Sequence, residues 1–177
     1  MCDEVKNHSD LQSASVSLRP ANRDDLAALN KEIERAMQSW NLPERVKRLA
    51  LPTYLYNEHD LQHLHIELAV DSECGVVGVA AWEAAAVRDC PDGFRGLLLH
   101  GLYVDPEKQC RGTGGRLLQA ATAAARKQGY AGLLVKAQAV AEGFFSSQGL
   151  RLLAVKDDKR DYPNRYWLDT NTDHSIR

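Results

Sequence analysis

Three glycines, Gly112, Gly114 and Gly115, stand at the head of a segment whose apolar residues Leu117, Leu118, Ala121, Ala124 and Ala125 recur at helical spacing. The first backbone N–H groups of a helix lack internal partners, and the helix dipole favours negative charge there. The run Gln109-Cys110-Arg111-Gly112-Thr113-Gly114-Gly115 therefore reads as an anion-binding loop. Glycine lets a diphosphate approach such a backbone with no Cβ in the way. No Lys-Ser or Lys-Thr follows the glycines, as nucleotide hydrolysis would need, and no G-x-G-x-x-G with a downstream acid completes a dinucleotide fold. Short glycine patterns also occur as plain turns, so the neighbouring elements have to decide.

A second chemical candidate precedes the loop. His100 is the odd polar residue in the apolar run from Leu97 to Val104, and an imidazole titrating near ~6.5 suits a general base at neutral pH. Strict alternation groups Leu98, His100, Leu102 and Val104 on one face and Leu97, Leu99, Gly101 and Tyr103 on the other. A bulge at Gly101 would re-aim every side chain beyond it. The competing reading is a histidine satisfied within the core. Glu83, ending a strand from Gly75, is a second base candidate, with an exposed strand-end carboxylate as its plainer reading.

Stepping outward, the chain alternates elements in an α+β order. Val16 to Arg19 reads as a strand, and Asn22 or Asp24 caps a helix carrying Leu26, Leu29, Ile33 and Met37. Pro43 opens a short helix with Val46, Leu49 and Ala50 as its apolar positions, stopped near Pro52. His63 to Val70 and Gly75 to Glu83 form a hairpin, and Asp105-Pro106 ends the strand from Leu97. Gly129 closes the helix after the glycine loop, Leu133 to Lys136 is a strand, Ala141 to Ser147 a short helix, and two further strands follow.

With the loop in this setting, the chain resembles the GNAT family of N-acetyltransferases, whose signature is Gln or Arg, two residues, Gly, one residue, Gly or Ala. Gln109, Gly112 and Gly114 match it, Arg111 fits a common variant, and the likeness runs from about Val16 to Leu168. The resemblance implies a three-layer fold: helices flank a mixed, largely antiparallel sheet whose strands splay between Leu97–Val104 and Leu133–Lys136. It implies acetyl-CoA as co-substrate. Amides of residues 110 to 115 (Cys110, Arg111, Gly112, Thr113, Gly114 and Gly115) would hold the diphosphate, and the strand at Leu102, Tyr103 and Val104 would pair with the pantetheine arm. His100 precedes that last position by four residues. Attack by the amine would be direct, and a homodimer is a family trait.

Ala141-Glu142-Gly143-Phe144-Phe145 and the following Gly149-Leu150 resemble the family's helix beside the cofactor. Many members carry Tyr where this chain has Phe145, and a phenol can protonate the departing thiolate whereas Phe145 has no proton to give. Gln138 stands where the family often has an Asn facing the pantetheine. Tyr103, Tyr162 and Tyr166 are the phenols that could replace the missing one. A second reading is therefore an acyl-CoA-binding sensor or interaction module that has lost transfer.

Composition narrows the remainder. The 177 residues are 44% apolar and 26% charged, which suits one globular domain from residue 15 onward after a polar tail over 1–14. A net charge of −2 offers no field for DNA or an anionic membrane, no stretch reaches the roughly 20 apolar residues of a membrane span, and Met1 to Asn7 is not a secretory signal. Cys2, Cys74, Cys90 and Cys110 show no metal spacing, so reduced thiols, no metal and a cytoplasmic address are expected.

Overall fold

The computed structural model describes residues 16–91, 93–109, 111–138, 141–157, 159 and 161–170. The expected tail over 1–14, Cys2 and Cys110 lie outside them. Seven strands, β1 (Val16–Pro20), β2 (His65–Asp71), β3 (Gly75–Ala84), β4 (Gly96–Val104), β5 (Gly132–Lys136), β6 (Arg151–Leu152) and β7 (Arg165–Asp169), form one sheet. Their order is β1-β2-β3-β4-β5-β7-β6. Every pair is antiparallel except β4 with β5.

Helices cover both faces, giving the three layers that the resemblance implies. On one side lies α1 (Leu26–Gln38), whose Leu29, Ile33 and Met37 are buried with Leu68 and Val79 of the sheet. Burying side chains of this size stabilises the fold by about 1.5–3 kcal/mol each. Asn22 caps the turn leading into α1: its side chain accepts from Asp24 N at 2.8 Å, and its own N–H donates to Asp25 at 2.9 Å. On the other side lie α4 (Thr113–Lys127) and α5 (Glu142–Ser147), with Leu117, Leu118, Ala121 and Phe145 in the core.

Between α1 and β2 run the short helices α2 (Glu44–Ala50) and α3 (Asp60–His63). The expected strand from His63 therefore starts two residues later, because Asp60 and Asn57 build a helical turn there: Asn57 N donates to Asp60 at 2.8 Å and His59 N to Asn57 at 2.8 Å. In α2 the expected polarity is reversed. Val46 and Leu49 are 45% and 66% exposed, whereas Lys47 is buried and donates its ammonium to Gln38 O at the end of α1, at 2.7 Å. Of the expected apolar positions Ala50 alone packs on the α1-side core, and a charge-assisted bond to the α1 terminus takes the place of the rest of the face. A groove of about 500 Å³, lined by Glu34, Gln38, Arg45 and Arg48, lies beside it.

Strand β4 does not alternate as expected either. Ala81 pairs with Gly101 and the next residue, Trp82, with Leu99, so His100 is an unpaired bulge residue. Leu97 and Leu99 face α4, yet beyond the bulge Leu102 and Val104 pack on that same cluster, and Tyr103 joins the α1 side. The expected faces thus exchange at His100, one residue before the Gly101 position anticipated for a bulge.

Candidate active site

The bulge coincides with a fork. Parallel pairing of β4 with β5 covers only Gly96↔Gly132 through Leu99↔Val135. Past that point β4 stays with β3 as far as Val104, while β5 follows β7: Lys136 pairs with Arg165, and Ala137 N donates to Asn164 O at 3.0 Å. Residues 100–104 of β4 consequently face a gap where a neighbouring strand would lie. A strand edge in this position offers backbone donors and acceptors to an extended ligand.

The glycine loop closes one end of the fork. Gly112 is the N-cap of α4 at φ +84°, a left-handed conformation that glycine alone adopts without strain, and no side chain caps the helix. Its first amides are thereby left for an anion. Gly114 packs flat beneath Phe144, where an added Cβ would lie 3.3 Å from the ring and 3.6 Å from Val104. Gly78 of β3 leaves room for the helix start, since an added Cβ there would stand 3.2 Å from Thr113 and 3.0 Å from Leu117. Gln109 donates to Val104 O at 3.3 Å, which ties the loop to the strand end. These features fit a diphosphate whose extended arm runs along β4.

Asp105 organises the turn between strand and loop. Its buried carboxylate accepts from Glu107 N at 2.9 Å and from both ends of the Arg35 guanidinium at 2.9 and 3.1 Å, which binds the loop to α1. Glu32, one turn earlier, is 2% exposed, and among the described residues its Oε1 has no hydrogen-bond partner. Burial first, then the nearby Asp105 charge, pushes its carboxyl up to about 7, against the pull of Arg35. A raised carboxyl stabilises the fold below its unfolded value near 4.5, and that contribution is lost as pH rises through 7. Moving from pH 5 to pH 8 is expected to cost the wild type ~2–3 kcal/mol more than a Glu32→Gln variant, read from urea unfolding at each pH.

At the apex, the Tyr56 hydroxyl lies 3.3 Å from His100 Nδ1, with ring centroids 5.9 Å apart. His100 itself is exposed rather than enclosed in the core. Tyr56 is held from α1 by the Asn30 side chain, which accepts from Tyr56 N at 2.9 Å and donates to Tyr56 O at 2.7 Å. Gly101 makes this convergence feasible: a Cβ there would stand 2.6 Å from both the Tyr56 hydroxyl and the Tyr103 ring. Burial drives both phenols to higher pKa, so they stay protonated. Glu83, half-buried opposite Leu98, adds to that rise for Tyr56 through its charge.

The remaining candidates take other places. Gln138 donates to the Tyr54 hydroxyl at 3.1 Å, a bond from the chain just past β5 to the segment between α2 and α3. Phe144 borders Gly114. Phe145 is buried, its ring stacked on Tyr166 at 5.9 Å, and Tyr166 is buried with it. Tyr162 is 37% exposed on the far side of β7 in sequence, ahead of Arg165. Tyr54 and Tyr56 were missed at the level of sequence. The available signal was Gly101, a glycine in the interior of the apolar strand β4, which marks a close approach by something else.

The sequence model of the acetyltransferase (GNAT) domain matches residues 58–151, more than half of the chain. The protein belongs to the GNAT acetyltransferase family. Solved structures carry the same fold. The PaiA N-acetyltransferase from Thermoplasma acidophilum, in complex with coenzyme A, aligns at TM-score 0.69 with 15% identity, over 86% of this chain and 97% of its own. AtaTR bound with acetyl-CoA aligns at 0.57 with 20% identity, over 88% and 93%. AtaT complexed with acetyl-methionyl-tRNA aligns at 0.58 with 18% identity, over 88% and 95%. No curated protein matches this GNAT chain in sequence. Among its described residues no helix is long and apolar enough to cross a membrane, and no three His, Cys, Asp or Glu side chains gather as a metal site.

Proposed function

We propose that this GNAT protein transfers an acetyl group from acetyl-CoA to a primary amine, of a small molecule or a peptide, by direct attack. The observation that carries the reading is the meeting of an uncapped glycine helix start with the Val104 end of a strand edge that the fork leaves open from His100 onward. The amine nitrogen forms the new bond to the acetyl carbon, the carbon–sulfur bond breaks with its electron pair on sulfur, and the amine's surplus proton leaves toward the polar groups at the apex. Glu83 and His100 are the residues proposed to manage those charges. A net charge of −2 argues for neither polyanionic nor strongly cationic acceptors, so a peptide N-terminus, a lysine, a polyamine and a small metabolite all belong in the panel. The tRNA-borne amine of the AtaT complex widens the acceptor panel to be tried.

The test follows free thiol on mixing protein, acetyl-CoA and a panel of amines that includes a polyamine, a lysine peptide, amino sugars and an aminoacyl-tRNA. Amine-dependent thiol release that disappears in a Gly112→Val, Gly114→Val variant supports transfer. One observation favours a second reading, an acyl-CoA-binding module without turnover: the ring in the family's phenol position, Phe145, is buried and has no hydroxyl. Tight coenzyme A binding with no thiol release from any amine would establish it and end the transfer proposal.

A further inference from the structure

Resting on that proposed transfer, we infer that Tyr56 is a positioning residue which fixes His100 as its Nε2–H tautomer, so that His100 offers the reacting thioester a hydrogen-bond donor rather than a base. The Tyr56 phenol is buried, at 5% exposure, and among the described residues its hydroxyl has one hydrogen-bond partner, His100 Nδ1 at 3.3 Å. A buried hydroxyl proton left without an acceptor is costly, so the O–H donates to Nδ1. A neutral imidazole that accepts at Nδ1 carries its own proton on Nε2.

Three further groups reinforce this direction. Tyr103 converges with Tyr56 over Gly101, and Tyr103, Asp60 and Glu83 all bear on the Tyr56 phenol in the sense that keeps it protonated. Tyr54 acts in the same sense on Tyr103. The position of Tyr56 is not free to drift, since both its backbone groups are bonded to the Asn30 side chain. Across the ring from Nδ1, Nε2 belongs to an exposed residue at the apex of the fork.

The chemistry that results differs from base catalysis. As the amine attacks, negative charge grows first on the acetyl oxygen and then on sulfur. A fixed neutral N–H aimed at that region stabilises it by hydrogen bonding, with no proton changing hands. The amine's proton then has Glu83, through water, as its destination. Such a donor does part of what a phenol in place of Phe145 would do.

The first measurement is made without acetyl-CoA, so it is independent of the transfer proposal. In 15N-labelled protein above the His100 titration, long-range 1H–15N correlations are expected to report protonated Nε2 and unprotonated Nδ1. A dominant Nδ1–H tautomer in the wild type would overturn the inference. In Tyr56→Phe the preference is expected to fade while coenzyme A affinity, read by calorimetry, stays within about twofold; an unchanged tautomer there would also overturn it. The second measurement is the kcat/KM pH profile. His100→Ala is expected to lose ~10²-fold in kcat, and His100→Gln, which keeps an N–H, to recover all but ~10-fold of it without moving the acidic limb. Equal losses in both variants, with the acidic limb abolished, would make His100 a base and refute the assignment. Failure of coenzyme A to bind the wild type would instead strike the transfer reading and leave the tautomer result standing.

Discussion

Gly101→Ala is expected to retain coenzyme A binding while losing ~10²-fold in acetyl transfer and roughly 2–3 kcal/mol in stability. The methyl group would arrive 2.6 Å from the Tyr56 hydroxyl and 2.6 Å from Tyr103 Cε2, well inside contact distance, with the Tyr103 hydroxyl at 3.1 Å. Neither ring can step aside cheaply. Tyr103 is buried in the α1-side core, and the backbone of Tyr56 is clamped by Asn30. Overpacking of this kind is relieved by shifts of backbone and rotamer, and a shift of about 1 Å at a catalytic donor is enough for a loss of that size. The diphosphate loop lies at the other end of the fork, so its affinity should change little. Urea midpoints, calorimetry with coenzyme A and steady-state rates check the three parts; unaltered turnover would show that the Tyr56–His100 contact has no part in the reaction.

Gly114→Val is expected to do the opposite: to keep the fold and weaken coenzyme A by ~10²-fold or more, about 3 kcal/mol. At this position a Cβ alone meets Phe144 at 3.3 and 3.4 Å, which is tight but negotiable for a half-buried ring. The two further methyls of valine have to occupy the wedge between Phe144, Val104 and the approaching ligand. The amides at the start of α4 would then be screened from an anion by carbon. Adding Phe144→Ala separates two explanations: it should return any stability lost to crowding without returning affinity. Tight binding by the single Gly114→Val variant would mean that the diphosphate is held elsewhere.

The loop was legible in the sequence because its information is local. Positive φ at Gly112, close packing at Gly114 and an amphipathic segment behind them are written within a few adjacent residues. The order of strands and helices was legible for the same reason. The facing of His100 was not, since a single unpaired residue reverses the parity of a strand, and its location depends on pairing with Ala81 and Trp82 in another strand. Tyr56 was hidden more deeply: it meets His100, 44 positions away, with its own backbone held to α1 by the Asn30 side chain. The inversion of α2 had no local signature either. Periodicity alone cannot reveal that a lysine will be drawn inward by the last carbonyls of a preceding helix.

That helix gives the wall beside the apex two grades of firmness. The free energy needed to open a segment locally follows what the segment buries, and α2 turns Val46 and Leu49 to solvent while resting on the Lys47 ammonium. A few residues further along the same stretch, Tyr56 is bonded through both backbone groups and enclosed by the core. Local opening of α2 is therefore expected to leave the phenol that faces His100 in place, read as hydrogen exchange faster at α2 amides than at the Tyr56 amide. The stretch from α1 to β2 is built as a panel on a fixed post: its outer edge buries little, while the atoms nearest the chemistry are bonded through the Tyr56 backbone.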